Sequence, residues 1–277
     1  MAMIGDVEEV VTFARARGAE LPIALANALS AWESLAQLRK RAAPNIAGAV
    51  AQAIRDGKLT SETVDEFVDG LATREARALM ARDAQAALQP AVVHAVTGAL
   101  AGPAGDQLTE QLRPAFAQDV AELERLTGIL PPGVTAETAI ERGPDVITAW
   151  QAAPAHLARM RGWGRWAALM VRFGHPTPGG LVMDHPHAPA ACYFISVGNS
   201  PVAAAIALAP GVTRDDRLGE WGKFWRAGFG VRLNSPSEAN AIAAAAEASA
   251  QESLTREGGK ALETREALEN AGCIKSP

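Results

Sequence analysis

The residues best able to do chemistry together lie in one stretch of the chain, Arg161 to Gly198. It holds three of the five histidines and one of the two cysteines. His175, Asp184, His185, His187 and Cys192 form its candidate metal set, because neutral imidazole, carboxylate and thiolate are the usual ligands of zinc and similar divalent metals. Their spacing does not describe a preorganised site. His185 and His187 would share one face of a strand, but Pro186 between them lacks a backbone donor and disfavours a regular strand. Neither HExxH nor CxxC occurs, and Cys192 has no second cysteine nearby. The competing reading treats the group as ordinary loop residues, with Cys192 a small apolar residue at the start of a buried segment.

Two other constellations fail on the chemistry they would need. Asp215-Asp216-Arg217-Leu218-Gly219-Glu220 is similar to the acidic element by which helical prenyl-diphosphate enzymes hold magnesium. Such enzymes need a second acidic cluster facing the first, and none with suitable spacing is present. Acidic residues at a helix start are favoured by the helix dipole alone. Asp56-Gly57-Lys58 suggests a calcium loop, but alignment on Gly57 puts Gln52, Ile54 and Thr63 where oxygen ligands and a terminal glutamate belong. Gly57 is therefore expected to stop a helix. No phosphate-binding glycine loop, nucleophile elbow or papain-like cysteine context occurs.

Trp163, Arg165 and Trp166, with Trp221 and Trp225, offer a different kind of site. Tryptophan and arginine are enriched at the energetic centres of protein interfaces, so these helices are the candidate interaction surface. Their bulk also suits a core, with Trp163 or Trp166 packed on the segment Leu218 to Phe229 and the histidine loop lying over that contact.

The composition narrows the class of protein. Alanine is abundant and aromatics are only 5% of the chain, which favours closely packed helices over sheets. The formal net charge of −5 and the scatter of the arginines argue against nucleic acid as the main ligand. Two cysteines point to a reducing compartment, and no apolar run approaches the roughly 20 residues that span a bilayer. The chain is expected to be cytoplasmic or assembled in a virion. With five lysines against 21 arginines, it suits a high-GC genome.

Apolar periodicity then places the elements. Leu25, Leu29, Trp32 and Leu35 draw one stripe, and Ile46, Val50 and Ile54 another. Val64, Phe67 and Val68 are expected to face inward, and Thr73 to cap a helix that Pro90 breaks or kinks. Leu108, Leu112, Phe116, Val120, Leu123 and Leu126 make the cleanest amphipathic helix, with Pro114 predicting a kink or a later start. Cys192 to Val197 reads as a strand if it has a partner, with Gly180 to Met183 as the candidate, and otherwise as buried coil. Ser235-Pro236-Ser237-Glu238 opens a helical tail, expected to break at Gly258-Gly259 and too poor in large apolar groups to stand alone.

The fold expected is mostly α: a multi-helix, bundle-like architecture with at most a small β element around residues 180–198. Pro131-Pro132-Gly133 would separate an N-terminal helical bundle (1–130) from a C-terminal aromatic-rich region (134–277). The latter carries the irregular loop 174–191 and the tail 236–272. The functional expectation is a non-enzymatic structural or interaction protein, homo- or hetero-oligomeric and without a cofactor, in an assembly such as the virion of a phage of a high-GC host. The alternative is a metal-dependent enzyme using the 175–192 loop and zinc or a similar divalent ion.

Overall fold

The structure, a computed structural model, describes residues 4–42, 45–174, 187–209 and 216–270. The chain is 78% helical, with no strand among the described residues. The helices in order are α1 (Ile4–Arg15), α2 (Ile23–Ala42), α3 (Ile46–Arg55), α4 (Val64–Ala101), α5 (Pro103–Ile129), α6 (Ala136–Arg142), α7 (Pro144–Arg172), α8 (Ala188–Ala191), α9 (Pro201–Leu208), α10 (Gly219–Arg226) and α11 (Pro236–Asn270).

Several helix ends follow directly from local chemistry. Gly18 and Gly57 take the left-handed conformation just past α1 and α3, with φ of 76° and 64°. Ser200 caps α9 by accepting from the Ala203 amide, ahead of Pro201 in the first helical position. At α11 the capping is reciprocal. Ser235 Oγ accepts from the Glu238 amide at 3.3 Å, while the Ser235 amide donates to the Glu238 carboxylate at 2.8 Å.

Contacts gather the chain into two compact units. One comprises Thr12–Glu20 with the chain from Leu100 onward; the other comprises Ala2–Val11 with Leu21–Ala99. In the larger unit α5 packs on α7, α6 folds back on α7, and α10 lies against α5, α7 and α9. Helix α8 joins α7 to α9, and α11 meets α5. The amphipathic stripe of α5 is buried at Leu108, Leu112, Phe116, Leu123 and Leu126. The Pro131-Pro132-Gly133 turn lies inside this unit, between α5 and α6, both of which pack on α7. Gly105 allows the α4–α5 junction to close, because a Cβ there would meet the Leu100 carbonyl oxygen at 2.0 Å.

The smaller unit is built differently. Its buried apolar side chains are Val7, Val10, Val11, Leu25, Leu29, Ala53, Val92 and Val96. Among the described residues, α2, α3 and α4 touch one another at isolated points at most. Helix α4 has 38 residues, about 57 Å at 1.5 Å per residue.

Four expectations from sequence need correction. Residues 192–197 take the coil alternative rather than the strand: they follow α8 as turns and coil, buried from Cys192 to Ile195 and exposed at Val197, and Asn234 rather than a neighbouring strand holds them. Thr73 caps nothing, and of the two outcomes expected at Pro90 the break does not occur, because α4 continues from Val64 to Ala101. Proline removes one backbone donor, and the alanine-rich turns around it keep the rest. Pro114 likewise lies inside α5, which starts at Pro103. Gly258-Gly259 does not break α11, which continues to Asn270. The proposed strand partner at 180–183 lies outside the described residues.

Candidate functional site

An aromatic chain runs through the larger unit and positions everything near the candidate residues. Phe13 meets the edge of Trp163 at 5.0 Å, and Trp163 meets Phe116 at 5.1 Å. Phe116 stacks on Phe194 at 5.8 Å, and Phe194 reaches Trp221 at 5.0 Å. From there the chain continues through Phe224 to Phe229. Trp166 branches from Trp163 to Tyr193, 5.5 Å away. Edge-to-face and offset contacts of this kind add roughly 0.5–1.5 kcal/mol per pair beyond area burial.

This geometry revises the interaction surface expected from sequence. Trp163 and Trp166 are fully buried and Trp221 nearly so, so in this fold they form core rather than surface. Arg165 is exposed and Trp225 half-buried. The expected meeting of α7 with α10 is present, but Trp163 and Trp166 reach Trp221 through Phe116 and Phe194 instead of directly. At the direct crossing stands Gly164, where a Cβ would lie 3.9 Å from the Trp221 ring.

The same unit carries a groove of about 700 Å³, lined by residues including Val134, Trp150, Leu157, Arg161 and Arg217. Its polar groups are largely engaged. Arg161 donates to both Glu220 carboxylate oxygens, at 2.7 and 3.0 Å. Arg217 lies 3.8 Å over the Trp150 ring and donates to the Trp150 carbonyl. The Trp150 indole donates to the Val134 carbonyl at 3.2 Å. Asp216 pairs with Arg226 and accepts from the Leu218 amide at 2.9 Å. Asp216 and Glu220 thus hold arginines and a helix start, while Asp215 lies outside the described residues.

The candidate metal residues are only partly in view. His175, Asp184 and His185 lie outside the described residues. His187 is exposed at the start of α8, and Cys192 is buried at its end. The Cys192 thiol donates to the Ala188 carbonyl at 3.5 Å, and burial pushes it up to about 12. It stays a protonated thiol at neutral pH, packed as a small apolar group. Among the described residues no three His, Cys, Asp or Glu side chains are grouped as a metal needs. His94 is exposed.

Sequence reasoning missed the feature most unusual for a folded chain. Residues expected to face inward on the α2–α4 segment are open to solvent. Val68 is 53% exposed, Ile54 63% and Ile46 38%. Ile23 is 80% exposed, Leu79 53% and Met80 72%. Helical periodicity brings Val68, Ala72, Ala76 and Leu79 onto one face of α4, with Met80 at its margin. Periodicity reveals such a face but does not say whether this chain covers it.

No protein-family model, curated protein or solved structure matches the chain. No described helix is long and apolar enough to cross a membrane.

Proposed function

We propose that this chain is a non-enzymatic structural component of an assembly, and that further copies of the chain cover its α2–α4 helices. The supporting observation is the set of open apolar side chains: Ile23, Ile54, Val68, Leu79 and Met80 on helices that barely pack on one another. Large apolar groups scattered singly are normal on protein surfaces, but several along a long helix with little packing of its own mark an association surface. Charge favours a second copy as the occupant. Asp65, Glu66 and Asp69 open α4, while Arg74, Arg77 and Arg82 follow in its next turns, with Glu75 and Asp83 interleaved. One α4 laid antiparallel on another therefore brings acidic turns toward basic ones. A stable contact buries about 800 Å² per partner, an area within reach of a helix this long.

A virion of a phage infecting a high-GC host is the assembly proposed, a reading supported only by the arginine-rich, helical composition. In the alternative reading, His175, Asp184, His185, His187 and Cys192 hold a divalent metal for catalysis. Stoichiometric zinc in elemental analysis of the purified chain would favour that reading over ours.

The surface test is a triple substitution, Val68→Gln, Leu79→Gln and Met80→Gln. These side chains are already exposed, so the cost to folding should stay within about 0.5 kcal/mol per site. Helix content and Tm at low concentration should hold while assembled mass falls. An unchanged assembled mass would refute α4 as the contact.

A further inference from the structure

Between α5 and α7 lies a polar cluster built on one buried histidine, with Arg159 reaching it from the exposed side. His156 on α7 is 1% exposed, and Nη2 of Arg159 stands 3.0 Å from its Nδ1. A guanidinium can donate but not accept, so Nδ1 must offer its lone pair and the ring proton must sit on Nε2. Nε2 is buried with no hydrogen-bond partner among the described residues. Arg159 Nε donates to Asp119 Oδ1 at 2.9 Å, and Asp119 Oδ2 accepts from Trp163 Nε1 at 2.8 Å. The arrangement links α7 to α5 by way of one neutral imidazole, one guanidinium and one carboxylate.

Other charges surround the ring. From α5 come Asp119, Glu122 and Arg125, the last two paired with each other at 2.7 and 2.8 Å. From α7 comes Arg159. Arg17, just beyond α1, covers the Phe13 and Trp163 rings and is attracted by Asp119.

We propose that His156 is an acid-sensitive latch, which holds α7 on α5 through Arg159 and Asp119 when neutral and releases them when protonated. A proton taken from solvent would occupy the Nδ1 lone pair and break the bond from Arg159. It would leave an imidazolium beside a guanidinium, with two N–H donors and no acceptor in place. Asp119 could serve the new cation only by giving up Arg159 or Trp163, and either exchange loosens the same helix pair.

Burial, followed by Arg159, drives the His156 imidazole below its ordinary value of 6.5, against the opposing pull of Asp119 and Glu122. Because the folded value is the lower one, the unfolded chain binds the proton first. The stabilisation is therefore complete above about pH 6.5 and declines as pH falls from there toward the folded value. The decline begins above the ordinary carboxylate range of about 4.

The test compares thermal melts of the full chain and of His156→Gln between pH 7.5 and 5. Wild type should lose on the order of 2–4 °C more in Tm across that range than the variant, which has no ring to titrate. Parallel curves would overturn the latch. Should His156→Gln fail to fold, amide hydrogen exchange of the wild type, corrected for the intrinsic effect of pH, decides the matter. Protection in α5 and α7 should fall at pH 5 relative to α9 and α10. A uniform change across these helices would equally overturn the proposal.

Discussion

Trp163→Ala is expected to cost about 3–5 kcal/mol, the largest loss of any single substitution in the chain. Three features add at this site. The side chain is fully buried, its ring is clasped between Phe13 and Phe116, and its indole N–H donates to Asp119. Alanine would remove an aromatic side chain burying roughly 150–250 Å² and open a cavity at the centre of the α5–α7 contact. Trp163→Phe separates the contributions. It keeps an aromatic ring, loses the donor to Asp119 along with some volume, and should cost about 1–3 kcal/mol. Urea denaturation followed by circular dichroism measures both. Equal stability of wild type and Trp163→Ala would mean that the aromatic chain is not the core of this unit.

Asn234→Leu should rank second, at about 2–4 kcal/mol. Asn234 is completely buried, and its side-chain amide donates to the carbonyls of Cys192 and Ile195 at 2.7 and 2.6 Å. Its own backbone amide donates to Tyr193 at 2.9 Å and survives the substitution. The turn from Cys192 to Ile195 has no strand ladder to satisfy its carbonyls, so this one side chain supplies two partners that a sheet would otherwise provide. Stranding two buried carbonyls costs roughly 1–3 kcal/mol for each. The same denaturation experiment applies, with Tyr193 and Phe194 packing expected to loosen in near-ultraviolet dichroism. A loss below about 0.5 kcal/mol would show that the turn holds its shape without Asn234.

These two residues show what sequence could and could not reveal. The stripe on α5 and the tryptophan-rich face of α7 were legible, because a buried helix face repeats at 3.6 residues and large side chains announce a core. The run Cys192–Val197 misled for a physical reason. Its first four residues are all apolar or aromatic, and such a run carries no periodicity to separate a strand from a buried turn. The answer lay 39 residues away from Ile195, at Asn234, whose hydrogen bonds no local pattern encodes. Pro90 misled differently: an interior proline costs about 3 kcal/mol or more, yet the helix of 38 residues continues through it. His156 was passed over entirely, since a lone histidine on a helix offers no sequence signal of its tertiary neighbours. The apolar positions of α3 and α4 were identified correctly as faces, yet Ile54 and Val68 remain open because their cover is not supplied within the described chain.

The proposed role in assembly rests on that missing cover. Molar mass by light scattering, measured on the purified full chain across a wide range of concentration, tests it most directly. The account predicts species of at least twice the 28.9 kDa chain mass, dissociating on dilution and weakened by Val68→Gln, Leu79→Gln and Met80→Gln together. A single 28.9 kDa species at every concentration would contradict it.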